Sequence, residues 1–180
     1  MQRGKFVRSR RIVTAAIAVA FVMLPAGTAL AGSGPAPAPS ENSASKSTAA
    51  TPAGNPLSAK AQAGGVCDDA HQIGKTGYIK RDGTTIASVK QFYSPECKEN
   101  YSYVWLWQDF VDQEDDYTVS AGVWSYTQNH EFGTESWEAD NGQEYWSGGT
   151  DTVSDCTSAG GAVEPAGSDT TYSGTTDTRC

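Results

Sequence analysis

Between Tyr101 and Trp107 every second residue is a large aromatic: Tyr101, Tyr103, Trp105 and Trp107, with Ser102, Val104 and Leu106 between them. Side chains in a strand alternate between two faces, so only a β-strand gathers these four rings on one side. Helical spacing would scatter them around the axis. The fold must therefore contain a strand with one aromatic face. Burial is worth ~25 cal/mol per Å2 of apolar surface, or several kcal/mol per ring in transfer terms, which favours the stripe as the inside of a sandwich. The competing arrangement turns Val104 and Leu106 inward and leaves the rings to solvent. Exposed coplanar rings stack on the C–H faces of sugars.

Neighbouring segments read the same way. Tyr78 to Arg81 and Thr84 to Tyr93 flank Asp82-Gly83, the pair that supplies positive φ angles for a two-residue hairpin turn. Tyr117 to Tyr126 is a fourth strand with a bulge expected at Gly122. Thr134 to Ala139 and Gln143 to Trp146 flank Asp140-Asn141-Gly142, the signature of a second hairpin. No segment repeats apolar residues at helical spacing. The fold class is all-β: a small antiparallel sandwich or barrel stapled by two disulfides, its domain running from 66 to 156. Residues 157–180, nearly all small or polar, read as a C-terminal loop pinned by the last disulfide.

The ends carry other signals. Arg3, Lys5, Arg8, Arg10 and Arg11 precede an apolar run, and Ala29-Leu30-Ala31 offers a cleavage site, so residues 1–31 read as a secretory signal peptide. The apolar run is shorter than the ~20 residues a bilayer span needs, so no stable membrane insertion is expected after cleavage. Residues 32–65, rich in Ala, Pro and Ser, contain no aromatic residue and read as a disordered spacer. The whole chain carries −8 and its first 31 residues +5, which leaves −13 on the exported part. Such a charge disfavours nucleic acid and anionic lipid as partners. It suits a solvated surface or a cationic partner.

Four cysteines remain after export, Cys67, Cys97, Cys156 and Cys180, with three possible pairings. The nearest-neighbour pairing, Cys67–Cys97 and Cys156–Cys180, is the expected one. No C-x-x-C pair is present, so zinc is discounted; no metal and no cofactor is expected.

Cys67-Asp68-Asp69-Ala70, followed by a strand ending in Tyr93-Ser94-Pro95-Glu96-Cys97, resembles a family of small secreted or membrane-tethered Gram-positive domains of unknown function. The match spans about residues 67 to 110. It departs at Tyr101, where the family pattern has Trp. The resemblance implies a β-rich extracytoplasmic module with a Cys67–Cys97 bridge, and no activity.

The remaining chemistry is weak. Asp109, Asp112, Glu114, Asp115 and Asp116 form an acidic turn, but an EF-hand loop starting at Asp112 would need Gly where Tyr117 stands. Carboxylates beside an aromatic strand also prevent edge-to-edge pairing, the favoured role here. Glu131, Glu135, Glu138 and Glu144 lie among tryptophans, so a small glycoside hydrolase is a minor alternative. His71 and His130 lack a partner nucleophile motif and read as surface residues. No catalytic residue is assigned. The expected function is a secreted, non-catalytic binding module of the cell surface or wall, contacting glycan or extracellular protein through Tyr103, Trp105, Trp107, Trp124, Trp137 and Trp146. A small effector, inhibitor or toxin, that binds a basic protein is the alternative.

Overall fold

The computed structural model describes residues 46–180. The expected signal peptide, and the spacer as far as residue 45, lie outside the described residues. Eight strands form two four-stranded antiparallel sheets: β1 (His71–Arg81), β2 (Thr84–Ser94), β3 (Glu99–Leu106) and β6 (Glu144–Trp146) in one, and β5 (His130–Asp140), β4 (Tyr117–Ser125), β7 (Thr157–Pro165) and β8 (Tyr172–Thr175), in that order, in the other. Two short helices, α1 (Ala59–Ala63) and α2 (Gln108–Val111), precede β1 and follow β3. The sheets stack with β1 against β8, β2 against β7, and β3 and β6 against β4. The all-β sandwich with two disulfides, Cys67–Cys97 and Cys156–Cys180, is thus the observed architecture. The helices are too short for any helix long and apolar enough to cross a membrane among the described residues.

Local chemistry explains the first hairpin. Asp82 and Gly83 both take positive φ, 50° and 84°, and join Arg81 to Thr84 in register. The irregularity between Ala121 and Val123 is the bulge at Gly122.

The aromatic stripe departs from both simple arrangements. Val104 and Leu106 face the other sheet, packed with Val89, Val119, Val163 and Tyr145 in an aliphatic core. Tyr101, Tyr103 and Trp105 point to the opposite face, yet they are buried, at 0%, 0% and 8% exposure. With Phe92 and Trp146 they form a second cluster, completed by Ala61, Val66 and Ala70. The cover comes from residues 46–70. The Tyr103 hydroxyl donates to the Thr51 carbonyl at 2.6 Å, and Lys90 Nζ donates to that of Pro52 at 2.7 Å. Gly54, at φ +86°, lies so close over Phe92 that a Cβ would stand 2.4 Å from the ring. Residues 46–65 are therefore an ordered strap, which corrects the disordered-spacer expectation for that stretch. The strap needs few apolar side chains of its own because it contributes carbonyls and glycine to rings supplied by the sheet.

Two further expectations are corrected. Residues 157–180 are not a loop: β7 lies in the middle of its sheet between β4 and β8. Small residues suit it there, since a Cβ on Gly161 would stand 2.5 Å from Val104. The domain accordingly extends from the strap to Cys180 rather than from 66 to 156. The second hairpin also fails: β5 pairs with β4 and β6 with β3, so Asp140-Asn141-Gly142 is a corner that carries the chain from one sheet to the other.

The motif around Cys67 and Cys97 is a clasp. Asp69 accepts from the Ser94 hydroxyl and, at 2.9 Å, from the Glu96 N–H, while the disulfide ties the same turn to the strap. The Ser94 bond, above all, holds the Asp69 carboxyl below the usual range, against the opposing effect of burial.

Candidate functional site

The six candidate aromatics do not form one surface. Tyr103 and Trp146 are buried under the strap, with rings 4.5 Å apart, and Trp105 is 8% exposed beside them. Burial, aided by the negative Glu144, pushes the Tyr103 hydroxyl far above the ordinary tyrosine range. Trp107 is half-buried at the start of α2 and lines an open cleft of about 920 Å3 between the β1–β2 turn and α2. The charged pair in that cleft, Arg81 and Glu114, is joined to itself. Trp124 is half-buried, paired with Glu131 and Ser158 on the outward face of the second sheet. Outside that buried cluster, Trp137 meets Trp146 in a cleft on the flank where β5 and β6 lie.

This flank cleft, about 500 Å3, arises from the corner at 140–142. Trp137 pairs with Val119 and so faces the gap between the sheets, where its ring lies 5.0 Å from that of Tyr145. The hydroxyls of Tyr117 and Tyr145 both donate to the Gly142 carbonyl, at 2.6 and 2.9 Å, and the Gly142 N–H donates to Asp140 Oδ1 at 2.7 Å. Burial, then the Asp140 charge, pushes the Tyr117 hydroxyl up to about 12. Tyr145 is raised further, by burial and then by the phenol and carboxylate beside it. Burial alone would raise Asp140, but the Gly142 N–H and the Lys60 charge outweigh it and hold the carboxyl below the usual range.

The strap supplies the roof. Lys60 of α1 places Nζ 4.7 Å from the centre of the Tyr145 ring and 3.7 Å from Asp140 Oδ2. It can do so because position 142 is glycine: a Cβ there would stand 2.6 Å from Nζ. Glu144, 4% exposed, lines the same cleft. Its Oε1 accepts from the Ser58 hydroxyl at 2.7 Å and from the Trp146 indole N–H at 3.0 Å. A second depression, about 560 Å3, runs from Lys60 and Glu144 towards Trp105 and Gln108, so the two spaces share those two residues.

Sequence reasoning picks out Trp137, Trp146, Glu135 and Glu144 by type. It misses Lys60 and Ser58, which fall in the stretch read as spacer, and Asp140, read as part of a hairpin turn. Ser58 ahead of Ala59-Lys60-Ala61 is a helix N-cap signal; its hydroxyl oxygen accepts from the Ala61 N–H at 3.1 Å. Among the described residues, the one cluster with metal-ligand proximity is Cys67, Cys97 and Glu99, and its two sulfurs are joined in the disulfide. Comparison with protein-family models, with curated proteins and with solved structures finds no match to this chain.

Proposed function

We propose that the protein is exported and acts as a non-catalytic binding module of the cell surface or wall, with the β5–β6 flank cleft as its contact site for glycan. The supporting observation is the half-exposed indole of Trp137, set in a walled cleft beside Glu135, Asp140 and Glu144. An aromatic wall with a few convergent polar groups is the usual composition of a small-ligand site. The buried rings of Tyr103, Trp105 and Trp146 serve the fold in this reading, and the earlier choice between core and binding stripe divides between strap and flank.

Pull-down of isolated cell-wall polysaccharide with the exported protein tests the reading. Capture that is lost in Trp137→Ala but kept in Trp124→Ala supports it. Equal capture by both variants, or none by the unaltered protein, overturns it. Glu135 and Glu144 line the same cleft, which supports a second reading, glycoside hydrolysis by paired carboxylates. Turnover of a wall glycan that disappears in Glu144→Gln would establish that reading in place of the first.

A further inference from the structure

Glu144 has no counter-ion. The two ion pairs among the described residues are Lys60–Asp140 and Arg81–Glu114. A carboxylate that is 4% exposed normally pairs with a cation or is satisfied at both oxygens. Here both donors, Ser58 and Trp146, go to Oε1. Oε2 receives none from the described residues, and it is not among the polar atoms sealed from solvent without a partner. It therefore opens to the space that Glu144 lines with Lys60.

The same space holds an amine that belongs to the chain itself. Lys60 Nζ occupies an ammonium seat made of the Tyr145 ring and Asp140. Its side chain is 47% exposed, so it is held at the surface and not built into the core. The pair it forms with Asp140, at 3.7 Å and partly solvated, is weak. The seat is thus formed, filled by a weakly held surrogate, and shares its cleft with an unmatched carboxylate. Beside it Trp137 offers an apolar wall suited to a sugar ring.

We propose that this cleft binds a hexosamine oligomer with free amino groups, one ammonium entering beside Glu144 Oε2 and displacing Lys60 from Asp140 and the Tyr145 ring while an adjacent ring stacks on Trp137. The inference rests on the glycan-binding reading above and sharpens it to one ligand class. The charge of −13 on the chain beyond residue 31 draws such a polycation from solution. An N-acetylated amine carries no charge and leaves Glu144 unmatched, so acetylation is the discriminating feature. Lys60 acts as a tethered competitor, and its removal frees the seat.

Calorimetric titration of the exported protein with glucosamine oligomers, with matched N-acetylglucosamine oligomers and with an oligolysine peptide tests this. The glucosamine oligomer is expected to bind at least ~10-fold more tightly than the acetylated one, about 1.4 kcal/mol by the affinity relation. Glu144→Gln, whose amide oxygen can keep the Ser58 and Trp146 donors, is expected to erase that preference with the melting temperature unchanged. Lys60→Ala is expected to raise glucosamine affinity several-fold. Trp137→Ala is expected to weaken both sugars alike. Equal affinity for the two sugars, both lost in Trp137→Ala, overturns the amine assignment and leaves glycan binding standing. Tighter binding of oligolysine than of either sugar overturns the sugar assignment. Binding of none of the three overturns the amine assignment too, and wall-polymer capture then decides separately whether glycan binding stands.

Discussion

The two flanks of the sandwich are closed in opposite ways. Where β1 meets β8, backbone touches backbone: a Cβ on Gly77 would stand 2.1 Å from the Thr175 carbonyl oxygen, and one on Gly174 2.6 Å from that of Tyr78. Where β5 meets β6, the chain itself crosses between sheets, and side chains hold the edges apart: Trp137 and Tyr145 inside, Lys60 across the top. One flank is sealed by the absence of side chains; the other closes that way only where the Gly148 N–H donates to the Gly133 carbonyl at 2.9 Å, and beyond that point it is propped open by large side chains. At its flanks, a sandwich this small has room for a ligand only where its sheets are kept apart, and the aromatic residues that do this are also the ones that would touch it.

The largest effect is expected at the sealed flank. Gly77→Val must push β1 away from β8, because the atom it meets is main chain and cannot rotate aside. A loss of more than about 4 kcal/mol, or failure to fold, is expected in thermal denaturation. A variant that melts like the unaltered protein would mean that the β1–β8 contact is loose and that the flanks do not differ.

How much of this contrast is legible in the sequence depends on which atoms make each contact. The strands β2 to β4, and β1 from Tyr78 onward, are readable because period-two patterning and Asp82-Gly83 state them directly; the stretch of β1 from His71 to Gly77 is not. The strap is not readable, since Thr51 and Pro52 act through carbonyl oxygens and Gly54 through its lack of a side chain. Composition reports side chains, and it rates such a segment as unable to pack. β7 is hidden for a related reason: close packing against Val104 requires the very residues, such as Gly161, that mark loops elsewhere. At the candidate site, Trp137 and Glu144 are visible by residue type. Their convergence is not, because Asp140-Asn141-Gly142 has the same turn chemistry whether the next strand pairs with its predecessor or crosses to the other sheet.

Next in size is the clasp that fixes the strap. Replacing Cys67 and Cys97 together by serine opens a loop with sequence separation 30. A loss of about 3–4 kcal/mol is expected from chain entropy, measured by urea denaturation. The loss should fall on the strap side of the molecule, with hydrogen exchange accelerating in residues 46–66 before β7. Uniform acceleration would show that strap and sandwich unfold as one unit.

Alkali probes the open flank. The Tyr117 hydroxyl, raised to about 12 when folded, returns to about 10 when unfolded, so the folded state holds its proton more tightly. That contribution is fully present below pH 10 and is lost as pH rises through 12, on the order of 2 kcal/mol for this residue. Tyr145 adds to the same loss in the same direction. Tyrosinate absorbance followed against pH should show exposed Tyr126, which its hydrogen bond with Ser158 holds below the ordinary range, ionising before the flank pair, which ionises only with unfolding. Early ionisation of all tyrosines would mean that the flank is wetter than its geometry implies.

Trp137→Ala removes a prop that is only half-buried, so a modest cost of about 1–2 kcal/mol is expected, against the 3–5 typical of a fully buried ring. A cost above that range would identify Trp137 as core, and with it the flank cleft as a packing defect.

The smallest effect separates the flanks most cleanly, because it repeats the first substitution in miniature on the other side. Gly148 lines the open cleft, and a Cβ there would meet its neighbours at 3.6, 3.6 and 3.8 Å, ordinary contact distances. Its φ lies outside the left-handed region, so alanine carries no backbone penalty. Gly148→Ala is therefore expected to change stability by less than about 0.5 kcal/mol, with a slight gain available from the lower entropy of the unfolded chain. Gly77→Ala, made in parallel, adds the same single methyl group where the facing atom is a carbonyl oxygen at 2.1 Å. If the two alanines cost the same, the sealing of one flank and the opening of the other are not properties of the packing, and the cleft loses its claim to be built space.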